Sequence, residues 1–192
     1  MDTSLTDEDK HMLEETFRRI AGDLGMIADR TIEVGTVAVE LASARAAGRS
    51  AIHVSFKFGL QYQGQIHHGT LLVPLPDAIT LGCYLMMVPD DGVKSKRALT
   101  TLDPGLKDAL MEVGNFIGGA TDAALRGLGI EGLKVRSEGC QGVKANVRPA
   151  LSYVEGTPLL IGRSKLRIHT WNPFEAILML PRLTPAAASS PS

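Results

Sequence analysis

The chain has 192 residues, 44% of them hydrophobic and 21% charged, which suits one well-filled core with room for tails. Lys plus Arg number 20 and Asp plus Glu 21, a net charge of −1, so no basic field is present to hold nucleic acid. No apolar run reaches the roughly 18 residues of a membrane span, and the acidic start MDTSLTDEDK lacks a secretion-signal pattern, so a cytoplasmic protein is expected.

Thr6 opens the string T-D-E-D, a capping-box-like helix start with acidic residues in the first turn. Leu13, Phe17, Ile20 and Leu24 follow at helical spacing, with Gly25 as the expected stop. The expected organisation is an N-terminal helix within residues 1–30, a main domain over residues 31–182, and a disordered tail over residues 183–192, Leu183 plus TPAAASSPS. Residues 31–42 alternate with β-branched side chains and predict one strand. Residues 51–61 and 65–73 predict two more, with Gln63-Gly64 as the turn between them. Pro76-Asp77 opens a helix through about Met87, and Pro89-Asp90-Asp91-Gly92 ends it. Lys94, Lys96 and Arg97 then fall in a solvated loop that could meet an acidic partner surface. Asp103-Pro104 is a good N-cap and first-turn pair for a long helix ending near Gly127 to Gly129. Strands are expected at residues 134–137, 150–154, 159–169 and 174–180. Strands, then helices, then strands imply an α+β fold, with an antiparallel sheet packed against two long helices.

The long helix carries the most chemistry. With Asp108 at zero on a helical wheel, Glu112 falls at about 40°, Asn115 at about 340° and Gly119 at about 20°. Leu106, Leu110, Val113, Ile117, Ala120, Ala124 and Leu128 occupy the opposite face as a core stripe. The helix should therefore bury one side and present Glu112 and Asn115 from the other, beside Gly118 and Gly119, which leave room for close approach. A side-chain amide can both donate to and accept from a water. A carboxylate one turn away can pair with a partner's cation. Neither is a nucleophile. Together they suit orienting a water toward a reactive centre elsewhere, and phosphoryl transfer needs little more than such positioning and charge stabilisation.

Other candidates are weaker. His67 and His68 are adjacent, so on a strand they point to opposite faces and cannot easily share a metal. His169 and Trp171 read as a surface pair at a strand end. The piece G-L-G-I-E-G lacks the spacing of a phosphate loop. Cys83 lies in an apolar helix and reads as buried and inert. Cys140 is far from it in sequence, and no C-x-x-C metal spacing occurs.

The string LKDALMEVGNFIGGATDAAL, with Asp108, Glu112 and Asn115 in D-x-x-x-E-x-x-N spacing, resembles the active-site helix of the CheC/CheX/FliY family of response-regulator phosphatases. The upstream HHGTLLVPLPDAITLGCYLMM and the downstream NVRPALSYVEGTPLL and EAILMLP resemble the flanking elements of that family. The likeness spans about residues 50–181 and is nearest to CheX, which has one such helix per chain. The resemblance implies a CheC/CheX-like fold and hydrolysis of the aspartyl phosphate on a CheY-type receiver. In that scheme Glu112 engages the receiver's Lys and Asn115 orients the attacking water. Asp108, Gly118, Gly119 and Asp122 would support the site or the docking. No metal or cofactor would belong to this chain, since the Mg²⁺ comes with the phosphorylated partner, and a homodimer would form through an edge near the C-terminal strands. Two departures stand out. The signature occurs once, whereas CheC carries it twice, and the N-terminal helix has no E-x-x-N. The nearest downstream Pro is Pro149, after GIEGLKVRSEGCQGVKANVR, a segment expected to reshape the rim of the site. The alternatives are a receiver-binding module without hydrolysis and an assembly protein related to the flagellar switch.

Overall fold

The computed structural model describes residues 4–49, 51–154 and 156–183. The elements in chain order are α1 (Asp7–Ala28), β1 (Ile32–Val34), β2 (Ala38–Ala42), β3 (His53–Tyr62), β4 (Gln65–Pro74), α2 (Leu75–Leu85), α3 (Asp90–Lys96), α4 (Pro104–Gly127), β5 (Lys134–Val143), β6 (Leu159–Ile168) and β7 (Phe174–Pro181). All strand pairs are antiparallel, in the order β1-β6-β7-β4-β3-β5, with β2 also on β6. The fold is α+β, as expected. Its two long helices are α1, of 22 residues, and α4, of 24.

Alternation along β3 explains how the layers join. Val54, Phe56, Phe58, Leu60 and Tyr62 turn to the helices and cluster with Leu13, Phe17 and Ile20 of α1 and Leu106, Leu110, Val113 and Ile117 of α4. The reverse face carries a smaller cluster of Leu72, Leu159, Ile161, Ile177 and Met179, with Ala46 buried in it and Tyr153 packed against it. Both faces of the sheet therefore bury apolar surface, which accounts for the nearly continuous apolar run of β7.

Several boundaries differ from the sequence expectations, each for a local reason. The Thr6–Asp9 capping box forms. Gly25, however, does not stop α1, which continues one turn and ends at Asp29 in the left-handed region, φ 49°. The single strand predicted over residues 31–42 is two strands. Val34 pairs with Leu166 and Ala38 with Arg163, so the partner strand advances three residues while this one advances four. The extra residue is accommodated around Gly35, whose N–H donates to the Lys165 carbonyl at 2.8 Å and whose carbonyl accepts from the Ser164 hydroxyl at 3.0 Å. Gln63 and Gly64 have φ of 49° and 76°, the two positive values of a two-residue hairpin turn. The Pro89–Gly92 segment begins the short helix α3 rather than a loop. Residues 150–154 form no strand; instead Tyr153 lies over the reverse face of the sheet. The strand expected at residues 134–137 runs on to Val143. β6 and β7 are interior strands, so the edge expected near the C-terminal strands lies at β5 and at β1 and β2 instead. Leu183 is buried in the core rather than opening a tail, and residues 184–192 lie outside the described residues.

Candidate functional site

α4 is set up by its own sequence. The Asp103 side chain accepts from the Leu106 N–H at 2.8 Å, and Pro104 occupies the first helical position, where no N–H is needed. The stripe from Leu106 to Ala124 is buried, with Leu128 half-buried at the end. Gly114 and Gly118 let the helix settle on β5. A Cβ at Gly118 would lie 2.9 Å from the backbone nitrogen of Ser137, and one at Gly114 would lie 3.4 Å from the Ser137 hydroxyl.

The outer face presents Asp108, Glu112, Asn115 and Gly119 together, all exposed. Asn115 Nδ2 donates to Glu112 Oε2 at 3.3 Å. Among the described residues this is the only polar contact that either side chain makes, and Asp108 makes none. Nothing lies within 4 Å of a Cβ built on Gly119, so the surface beside Asn115 is open. Gly118 does not share that opening; it is the packing glycine. Asp122 is also drawn away from the site. Its Oδ1 accepts from the Val135 N–H at 2.8 Å and its Oδ2 pairs with Arg126 at 2.8 Å, so it holds the start of β5 against α4. The segment after α4 thus becomes an edge strand beneath the site helix.

A shallow groove runs beside the pair, lined by Leu85 of α2 and Met86, which caps it, and by Gly105, Asp108, Met111 and Glu112 from α4. A narrower crevice between α1, α2 and α4 is lined by Leu24, Ile27, Leu81, Leu85, Val113 and Phe116. Met111 also lies 3.8 Å, sulfur to sulfur, from Cys140 of β5, whose thiol burial pushes up.

A second polar cluster ties α2, α3, the residues after α1 and the β6–β7 turn together. Arg97 Nη2 donates to Asp77 Oδ1 at 2.9 Å, and the guanidinium stacks 4.6 Å from the Trp171 ring centroid. Trp171 Nε1 donates to the Tyr84 hydroxyl at 2.9 Å, and that hydroxyl donates to Asp90 Oδ1 at 2.9 Å. Arg30 lies 4.8 Å over the Tyr84 ring and 3.5 Å from Asp90. Burial pushes the Asp77 carboxyl up, against the pull of Arg97, while the Tyr84 hydroxyl and Arg30 hold Asp90 below the usual carboxylate range. Arg97 and Trp171, read from sequence as solvent-facing, are therefore structural. His68 pairs with Glu138 at 2.8 Å. Cys83 is buried and free. Among the described residues no three or more His, Cys, Asp or Glu converge as metal ligands, and no helix is long and apolar enough to cross a membrane.

The sequence matches no protein-family model and no curated protein. Solved structures do match. Thermotoga maritima FliY aligns with 93% of this chain and 92% of its own, at 18% identity and a TM-score of 0.64. The chemotaxis protein CheX of Desulfovibrio desulfuricans aligns with 88% of this chain and 96% of its own, at 17% identity and a TM-score of 0.56. The middle domain of H. pylori FliM aligns with 92% and 94%, at 10% identity and a TM-score of 0.61. The fold is that of the CheC/CheX/FliY group. At these identities the likeness is one of architecture. On this CheX-like frame the sequence reading missed the apolar surroundings of the pair. Met111 at about 300° and Phe116 at about 80° on the same wheel flank Glu112 and Asn115, so the periodicity contained the signal.

Proposed function

We propose that this chain accelerates hydrolysis of the aspartyl phosphate on a CheY-type receiver domain. The observation that carries the reading is the Glu112–Asn115 pair, in contact at 3.3 Å on an exposed helix face and otherwise uncommitted among the described residues. Asn115 would hold a water by its amide and direct the oxygen at phosphorus. The P–O bond to the receiver's aspartate breaks as the water's oxygen bonds to phosphorus, leaving inorganic phosphate and a free carboxylate. Glu112 would take the ammonium of a receiver Lys and fix the approach. Mg²⁺ would come with the receiver, where phosphate oxygens and carboxylates suit it. The chain would act as a homodimer with two independent sites, using a free sheet edge such as that of β5. Fold likeness to FliM, including the structure described as a FliG–FliM complex, at a TM-score of 0.62, supports a second reading: a docking module of flagellar assembly that hydrolyses nothing.

Radiolabelled phosphate release from CheY-type receivers of the same genome, phosphorylated and held in Mg²⁺, separates the two. Under the first reading, addition of the chain speeds release from at least one receiver. Binding without any faster release from every receiver would favour the second.

A further inference from the structure

Helix α2 ends in an unusual way. The Val88 N–H donates to the Cys83 carbonyl at 2.9 Å and the Met87 N–H to the Tyr84 carbonyl at 2.9 Å, the paired bonds of a Schellman cap. The residue after the C-cap in that motif sits in the left-handed region and is usually Gly, because a Cβ is disfavoured there. Here it is Met87, with φ 59°. Its side chain is 88% exposed, the highest among the large hydrophobic residues described. Gly would relieve both the backbone strain and the exposed apolar surface, so nothing inside the fold accounts for the methionine.

Other apolar side chains where the end of α2 meets α4 are exposed too, Leu85 lining one hollow with Met86 and Met111 and another with Phe116. Met86, Met111 and Phe116 are 38%, 43% and 36% exposed. Met86 and Met111 line the groove that also holds Asp108 and Glu112. We infer that Met87, with Met86, Met111 and Phe116, forms an apolar docking collar for the receiver domain, with Met87 setting affinity; this rests on the function proposed above. Methionine suits the task because its unbranched, polarizable side chain adapts to a partner's shape. The occupant follows from charge. The groove offers two carboxylates, Asp108 and Glu112, and no cation pairs with either among the described residues. A second copy meeting this patch about a two-fold axis would set acids against acids. A partner that covers the collar must therefore bring a cation beside an apolar surface, as a receiver whose Lys meets Glu112 would.

The test compares wild type with Met87→Gly and Met87→Gln. Gly should leave thermal stability equal or higher, since it suits the backbone. For the phosphorylated receiver, both variants should raise KM about tenfold with kcat unchanged, as expected for a lost apolar anchor away from the reacting atoms. Affinity for the same receiver loaded with beryllofluoride should fall by the same factor. Equal KM and equal affinity in all three proteins would overturn the collar and leave the phosphatase reading standing. A wild type that neither binds nor dephosphorylates any receiver would overturn both. A wild-type dimer that Met87→Gly dissociates, by light scattering, would assign the collar to self-association and overturn it as well.

Discussion

The Arg97–Trp171–Tyr84–Asp90 cluster and the Glu112–Asn115 edge are both polar and both built on the helical layer, yet charge is handled in opposite ways. In the first, Asp77 meets Arg97, Asp90 meets Arg30, and two aromatic rings lie beneath the cations. In the second, Asp108 and Glu112 meet no cation among the described residues, and the apolar neighbours face outward. Polar groups that stabilise a fold are paired within it, because a buried group left unpaired is costly. The groups proposed to meet a receiver touch each other and have no cation of their own among the described residues. The difference teaches where to look for stability and where to look for function.

The sharpest break of this comparison is Asn115→Ala. It should cut receiver dephosphorylation by on the order of 10²- to 10³-fold, the usual effect of removing one positioned polar group at a reacting centre. Its thermal melt should match wild type, since the side chain's one polar contact is the exposed one to Glu112. Single-turnover decay of the phosphorylated receiver, alongside a melt, reads both quantities. Arg97→Ala should do the reverse. It leaves Asp77 buried without its cation, which should cost about 3–5 kcal/mol in denaturant unfolding at neutral pH. That loss should shrink in acid, because a protonated Asp77 no longer needs a cation and burial already pushes its carboxyl up.

Adjacent glycines sharpen the comparison at single-residue scale. Gly118→Ala places a methyl against the Ser137 backbone nitrogen and should destabilise by about 1–3 kcal/mol. Gly119→Ala meets nothing within 4 Å and should stabilise α4 by about 0.5–1 kcal/mol. Chemical denaturation of the two variants decides it; equal effects would erase the distinction between packed and open sides of the helix. Glu112→Ala should weaken binding of a beryllofluoride-loaded receiver by about 1.5 kcal/mol, the low end for a charge-assisted bond because the group is exposed. Glu112→Gln should retain part of that affinity. Unchanged affinity in both would leave Glu112 no docking role.

Much of this was legible in the chain. The wheel of α4 separates Leu106, Leu110, Val113 and Ile117 from Glu112 and Asn115, because helix geometry depends only on the helix itself. The Asp103-Pro104 start and the Gln63-Gly64 turn are equally local. What the sequence hid depends on neighbours far along the chain. Gly118 and Gly119 look alike until β5 is placed under one of them. Asp122 reads as a site residue until the Val135 N–H takes its carboxylate. Residues 150–154 are apolar and aromatic enough to read as a strand, yet Tyr153 packs against the sheet and the segment forms no strand in it. Arg97 looks solvated until Asp77 and Trp171 converge on it from α2 and the β6–β7 turn.

The smallest expected effect tests the paired cluster from its edge. The Tyr84 hydroxyl, first, and Arg30, next, hold the Asp90 carboxyl below its ordinary value, with His169 adding a weaker pull. A depressed carboxylate lends stability above its unfolded pKa and loses it as pH falls through the folded one. Tyr84→Phe removes the leading donor and keeps the ring under Arg30, so the Asp90 titration should move up toward the ordinary range while the cation–aromatic stack survives. The Trp171 N–H loses its acceptor in the same variant. Carbon-detected NMR titration of the Asp90 carboxyl follows the shift directly. If its midpoint stays where it is in wild type, the hydroxyl is not what holds it. The acid limb of the stability profile should move with the midpoint, becoming shallower in Tyr84→Phe. Asn115→Ala should leave that limb untouched, because no titrating group of the paired cluster depends on it.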